Sequence, residues 1–180
     1  PWKEDYQDAK RVAVQLGIEF RLFDFEKEYQ QKVVDYMIEE YKLGRTPNPD
    51  IMCNQEIKFK LFLNTALEAG ADFVATGHYA ITKDGKLYAG KDKNKDQSYF
   101  LCRMTEDALR KTIFPLGDLT KPEVRELAKK FNLATANKKE SMGICFVGKV
   151  GIKEFLEQFV ETTPGPIIDQ FGIEVGQHEG

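Results

Sequence analysis

The sequence predicts an α/β fold in which helices flank a parallel sheet, followed by a small, mainly helical segment and the start of a β module. Three observations carry this prediction. Stretches of helical period alternate with short apolar runs over residues 1–110, the pattern that packs helices against a parallel sheet. After Pro115 helical stretches dominate, and the run Thr162-Thr163-Pro164-Gly165-Pro166 then interrupts the chain before a final alternating segment. The divisions fall at 1–110, 111–161 and 162–180.

Each element follows from its residues. Residues 5–16 carry Ala9, Val12, Ala13 and Leu16 on one helical face, and Gly17 stops them before "GIEFRLFDF", which reads as a short strand. A long helix is expected over 26–43, with Val33, Val34, Met37 and Tyr41 inward and Gly44 as its end. Residues 56–69 repeat Ile57, Leu61, Phe62, Thr65 and Ala69 at helical spacing, and Gly70 breaks the helix ahead of the buried strand "ADFVAT". "HYAITKDGKLYAGKD" reads as a hairpin turning at Asp84-Gly85. Farther on, "LTKPEVRELAKKFNL" is a helix capped by Thr120 with Pro122 in its first turn. "ESMGICFVG" is a short apolar stretch, 152–160 a further helix, and "IIDQFGIEVGQHEG" the first hairpin of the β module.

Composition narrows the functional classes. With 42% hydrophobic and 31% charged residues in 180, the chain is globular. No apolar run approaches the roughly 20 residues that span a bilayer, and "PWKEDYQDAK" has no signal-peptide core, so a cytoplasmic location is expected. The chain begins at Pro1 and ends on "GQHEG", which reads as a piece of a longer protein. Its cysteines, Cys53, Cys102 and Cys145, form no CxxC pair and have no His at ligand spacing, so no metal site is expected. Residues 110–150 hold nine Lys or Arg against four acids, a local charge of +5 in a chain of net charge −3. Such a segment suits a phosphate-contacting surface, and equally a solvated helix face.

Chemistry-bearing residues cluster in a few loops. In "GRTPNPDIMCNQEIKF", Pro47 and Pro49 stiffen the chain and bias Thr46 and Asn48 toward extended geometry. Asp50 and Cys53 are thereby presented at a helix start, where the macrodipole favours a thiolate. The other reading makes Asp50 a helix cap and Cys53 a small core residue. Cys145 lies between Gly143 and Gly148 after Lys138 and Lys139, which suits either a reactive thiol or a buried strand residue. Cys102, in "SYFLCRM", reads as core. "ATGHYA" ends a buried strand with Gly77-His78, at the carboxyl edge where open α/β sheets bind ligands. In "KNKDQSYF", Lys95, Asp96 and Gln97 form a polar loop suited to RNA contacts or to plain solvation.

Together, "GRTPNPDIMCNQEIKF", "ATGHYA", "KNKDQSYFL", "FPLGDLTKPEVR" and "ESMGICFVG" resemble, in order and spacing, the tRNA-specific 2-thiouridylases, the MnmA and TrmU family. The resemblance covers essentially the whole chain. It implies a PP-loop ATPase-like domain, a central tRNA-binding domain over 111–161 and the start of a C-terminal β-barrel. It further implies an ATP-dependent sulfurtransferase that thiolates position 2 of the wobble uridine, U34, of tRNA through an adenylated intermediate and a cysteine persulfide. By the same resemblance, Cys145 carries the persulfide sulfur, and Cys53 is the partner nucleophile able to form a disulfide with it. Asn48, Pro49 and Asp50 touch the target base, Gly77 lines the ATP site, and Lys95, Asp96 and Gln97 contact tRNA. A persulfide donor, either a cysteine desulfurase or a sulfur-relay protein, is the implied partner. Magnesium is expected with ATP, its ligands unassigned.

The 180 residues depart from the family at both ends, holding neither the "SGGVDS"-type phosphate loop nor most of the barrel. On their own they are therefore expected to be inactive. Two alternatives stand beside this reading: another PP-loop adenylating ligase, which needs no thiol pair, and a non-catalytic RNA-binding piece, for which the basic segment suffices.

Overall fold

The structure, a computed structural model, describes residues 2–138 and 151–180. Cys145 and the whole of "ESMGICFVG" lie outside the described residues. Helix α1 is Trp2–Leu16. Of its expected inner face only Ala13 is buried, while Leu16 is exposed. Besides the Tyr6 ring, 5.4 Å from Phe20, polar contacts tie it down: Gln15 donates to the carbonyl of Asn132 at 2.9 Å, and the Lys138 ammonium reaches Asp5 at 2.7 Å and Asp8 at 2.6 Å.

The strand expected over "GIEFRLFDF" is not formed. Residues 18–25 pair with no strand among those described, and without a neighbour the segment has no ladder to hold it. Its aromatics instead turn to the helices. The Phe23 ring lies 6.1 Å from Phe62, and Phe25 packs on a cluster of Val33, Cys53 and Ile57.

Helix α2 runs over residues 26–42 as Glu26–Tyr29, a π-helical Gln30–Val34 and Asp35–Lys42. It buries Val33, Val34, Met37 and Ile38, close to the expected face. Helix α3 covers residues 49–68, again with a π-helical centre, Cys53–Phe62, between Pro49–Met52 and Leu63–Glu68. It therefore starts seven residues before the expected position 56. Pro49 is its first residue, where a fixed φ and a missing N–H cost nothing.

Strand β1, Val74–Ala75, pairs in parallel with β4, Thr112–Ile113, through Val74↔Thr112 and Ala75↔Ile113. The parallel connection agrees with the predicted class. Yet β1 is shorter than expected, with Val74 buried and Phe73 exposed. Between them, β2, Ala80–Lys83, and β3, Lys86–Ala89, form the predicted hairpin. Asp84 and Gly85 take φ of 51° and 73°, the two left-handed residues that a tight hairpin turn requires. Beneath it, Gly117 approaches so closely that a Cβ there would lie 2.2 Å from the Ala80 carbonyl oxygen. The core that joins these pieces holds Phe59 and Leu63 of α3 with Val74, Ala80, Leu101, Leu109 and Phe114. Each large side chain buried there stabilises the fold by about 2 kcal/mol.

A short 3₁₀ turn, Ser98–Leu101, leads to α4, Glu106–Arg110. Helix α5 is Lys121–Lys130, with Thr120 as cap as expected. The Glu123 carboxylate accepts from the Thr120 N–H at 2.6 Å and its hydroxyl at 2.9 Å. Buried Asp92 accepts from the Lys121 N–H at 2.8 Å, so loop 90–97 is fastened to the start of α5. Helix α6, Ile152–Leu156, ends four residues earlier than the expected 160. Strands β5, Gly165–Ile168, and β6, Glu174–His178, form the final hairpin. Among the described residues no helix is long and apolar enough to cross a membrane.

Candidate functional site

The loop before α3 is fixed from both sides. Asn48 is extended, with φ −110° and ψ 99°, as a residue preceding proline must be. Its side-chain oxygen accepts from the N–H groups of Asp50 at 3.1 Å and Ile51 at 3.2 Å. The cap is thus Asn48, and the reading of Asp50 as cap is corrected, because Pro49 already takes the first helical position, two residues ahead of the start an Asp50 cap would set. Asp50 and Cys53 follow one turn apart on one helical face. Asp50 is half-buried. Cys53 is 7% exposed, packed with Val33 and Ile57 under Phe25, Tyr29 and Met52, so the structure favours its core reading while leaving it beside Asp50.

The opening of α3 docks on the 98–101 turn. Asn54 donates to the Phe100 carbonyl at 3.1 Å, and the Arg103 guanidinium meets the Met52 sulfur at 3.5 Å. Two acceptors here, Asn54 Oδ1 and Gln55 Oε1, are buried without a donor among the described residues. Each such group costs about 1–3 kcal/mol, which singles the place out. Cys102, expected in the core, is exposed. The tight turn spends its inward position on Leu101, 1% exposed, and the next side chain faces out.

The polar loop just upstream is built into the fold. Asp96 accepts from the Gly90 N–H at 2.7 Å and the Ser98 hydroxyl at 2.7 Å. Burial opposes its charge, but these bonds outweigh that and hold its carboxyl below the usual carboxylate range. Gln97 accepts from the Tyr79 N–H at 3.0 Å and donates its own N–H to the Tyr79 carbonyl at 2.9 Å. The loop is therefore clamped two residues beyond Gly77. Gly77, Lys95 and Gln97 line one cleft of about 490 Å³, together with Lys121, Arg125 and Lys138. Asp96, Asn48, Asp50 and Cys53 do not line it. Among the described residues nothing demands glycine at 77, where a Cβ would meet Leu116 Cδ1 at an ordinary 3.8 Å.

His78, named with Gly77 at the strand's carboxyl edge but given no role of its own there, lies just beyond β1. Its Nδ1 lies 2.8 Å from Thr76 Oγ1, and its ring sits 5.8 Å from Phe59 and 6.0 Å from Phe114. Burial, with a smaller push from the Lys58 ammonium, lowers its pKa to about 4, so the imidazole is neutral at pH 7. Among the described residues no three His, Cys, Asp or Glu side chains cluster to hold a metal ion.

A parallel strand pair packed with helices defines an α/β protein. Residues 1–149 match the family model described as tRNA methyl transferase HUP domain, and the chain belongs to that family. It is similar to the tRNA-specific 2-thiouridylase MnmA of Streptococcus sanguinis strain SK36, 54% identical over 98% of this chain and 49% of the relative. The protein of the same name from Listeria monocytogenes serotype 4a strain HCC23 is 55% identical over 98% of this chain and 49% of its own length. That of Akkermansia muciniphila is 52% identical over 100% of this chain and 52% of its own. The chain spans about half the length of the curated relatives it matches.

Two outcomes follow from this geometry. Because the imidazole of His78 titrates near 6.5 when unfolded and at about 4 when folded, the unfolded chain binds more protons between these values. Stability is therefore intact above about pH 6.5 and falls as pH drops toward 4, by about 3 kcal/mol from this group. Urea unfolding from pH 7 to 4 is expected to show the wild type losing that much more than His78→Gln; parallel curves would refute the assignment. Second, brief alkylation of the native protein at neutral pH, read by peptide mass mapping, is expected to label Cys102 well before Cys53, with the two equal in urea. Faster labelling of Cys53 would show that its apolar cover is not closed.

Proposed function

We propose that these residues form part of an ATP-dependent tRNA sulfurtransferase that replaces the 2-oxygen of the wobble uridine, U34, with sulfur. The observation that carries this reading is identity of 52–55% over 98–100% of the chain with proteins named tRNA-specific 2-thiouridylase MnmA. The function belongs to the longer chain that such relatives have. Since the 180 residues contain no "SGGVDS"-type loop, we infer that alone they do not thiolate tRNA.

The chemistry gives each residue a task. The uridine C2 carbonyl is a poor electrophile until ATP adenylates its oxygen, after which AMP is the leaving group and a soft sulfur displaces it. Cys145 carries that sulfur as a persulfide. Cys53 then attacks Cys145 to form a disulfide as the thiolated base departs. Because Cys53 is covered by Phe25, Tyr29 and Met52, this step follows movement of the cover. Asn48, Pro49 and Asp50 meet a base taken out of its stack, and the double constraint on their backbone pre-orients Asp50 for positioning or proton transfer. Gly77 lines the ATP site, its missing side chain leaving room for the nucleotide. Lys95 contacts tRNA directly, whereas Asp96 and Gln97 serve by holding its loop. ATP brings magnesium, to which no residue is assigned. The sulfur comes from a cysteine desulfurase or a sulfur-relay protein, and the reaction runs in the cytoplasm. Residues 1–110 then form part of the catalytic domain, 111–161 the central tRNA-binding domain and 162–180 the entry to a β-barrel.

The test uses the chain at the length of its relatives, with ATP, magnesium, a persulfide donor and unmodified tRNA, followed by digestion and detection of 2-thiouridine. Product is expected from the wild type and at least 100-fold less from Cys145→Ser, the order of effect of losing a covalent nucleophile. Equal product from both would remove the sulfur-carrying role of Cys145. No product from either, in a folded protein, would reject the sulfurtransferase reading in favour of another adenylating ligase or an RNA-binding protein.

A further inference from the structure

Asn54 follows the candidate nucleophile Cys53 and stands four residues after Asp50, and residues four apart share one side of a helix. Its side chain is buried, 3% exposed. Its amide has one orientation open to it. Nδ2 donates to the Phe100 carbonyl at 3.1 Å, and turning the group over would set two carbonyl oxygens against each other. Oδ1 therefore faces away from Phe100, buried and without a donor among the described residues. Gln55 Oε1 is orphaned as well. Its amide nitrogen, however, turns to the Glu56 carboxylate at 2.7 Å, and the next position along a helix lies about 100° further round from Asp50.

A buried acceptor without a donor is costly, so a fold that keeps one invites the question of what meets it. An incoming N–H gains from such an atom, whereas an incoming lone pair is repelled. Pyrimidine bases differ in this respect at N3. Uracil carries N3–H between its two carbonyls, and cytosine presents a lone pair there. Both have the same C2 carbonyl, so an enzyme acting at C2 must tell them apart at N3 or at C4.

We propose that Asn54 is a specificity-determining residue that accepts the N3–H of the flipped uracil through Oδ1 and so rejects cytosine, a flipped base being read along its pairing edge. The inference rests on the U34 reading given above and adds the atom by which the base is chosen. The Phe100 carbonyl, by taking the amide N–H, presents oxygen rather than nitrogen to the base; nitrogen would favour cytosine. The 98–101 turn thus takes part in base choice without touching the base. In the free protein Oδ1 is covered, and the base reaches it when Met52 shifts. That side chain lies between Cys53 and the Arg103 guanidinium, so one movement opens the acceptor and the thiol together.

The test uses the chain at the length of its relatives, with ATP, magnesium, a persulfide donor and two otherwise identical unmodified tRNAs, one with U34 and one with C34. Digests are read for 2-thiouridine and 2-thiocytidine. The wild type is expected to favour U34 at least about a hundredfold in kcat/KM, within reach of a site built to bond a substrate N–H. Asn54→Leu and Asn54→Ala, which lack the amide, are expected to lower that ratio at least about tenfold, whereas Gln55→Leu keeps it. Because both substrates meet the same folded fraction, loss of stability in a variant cancels from the ratio. Comparable products from U34 and C34 with the wild type would show that N3 is not read and overturn the proposal without any variant. A wild-type ratio in both Asn54 variants, or an equal fall in Gln55→Leu, refutes the role of Asn54 and leaves the U34 reading standing. No 2-thiouridine from the wild type overturns that reading and this inference with it.

Discussion

A single side-chain oxygen, that of Asn48, decides where α3 begins. By accepting from the N–H groups of Asp50 and Ile51, it satisfies two of the donors that every helix start leaves open. Pro49 takes the first helical position, and the residue before it has no freedom to join the helix. The consequences run the length of α3. With the start fixed, Asp50 and Cys53 fall one turn apart, Asn54 faces the Phe100 carbonyl, and Ile57, Phe59 and Leu63 enter the two apolar clusters. Within the helix each residue sits about 100° from the next, so the faces that Asp50, Cys53, Asn54 and the core positions present are fixed relative to one another. The register of the core and the orientation of the candidate nucleophile are thus one constraint.

The second organising feature is the way loop 90–97 joins separate elements. Asp92 holds the start of α5, Asp96 holds Gly90, and Gln97 holds Tyr79 through both backbone groups. Two of the polar side chains expected to face RNA or solvent, Asp96 and Gln97, are thus partly spent on the fold. What they secure is a rim: Gly77 on one side, the cations of α5 and its following turn on the other. Polar residues in such a loop are structural and functional at once, because holding Lys95 in place requires its neighbours to be bonded inward.

Local signals were the legible ones. Asp84-Gly85 between alternating runs gave the hairpin, and Thr120 with Pro122 gave the start of α5, since turn and cap chemistry is written in adjacent residues. Elements that depend on partners were harder. "GIEFRLFDF" has strand composition but pairs with no strand among the described residues, whereas "KTIFPLG" contains β4 although its two strand residues are too short a run to announce themselves. The start of α3 was misplaced because Pro47 and Pro49 read as one stiff loop, while only the cap geometry shows that Pro49 is already helical. Cys102 was misread because its apolar neighbours suggested a core, and which residue of a tight turn faces inward is settled by packing. The site residues came from a resemblance of motifs. The Gln97 clamp on Tyr79 and the Lys138 latch to α1 join positions well apart in the chain, which no local pattern encodes.

The account depends most directly on the Asn48 cap, and amide hydrogen exchange at Asp50 and Ile51 tests it. Asn48→Ala is expected to speed exchange at these two amides about fivefold, the equivalent of a cap of about 1 kcal/mol, and to leave Leu63–Glu68 unchanged. Asn48→Ser, which restores an acceptor, is expected to protect them nearly as well as the wild type. Wild-type protection at both amides in Asn48→Ala would contradict the claim that this side chain sets the start of α3 and, with it, the site.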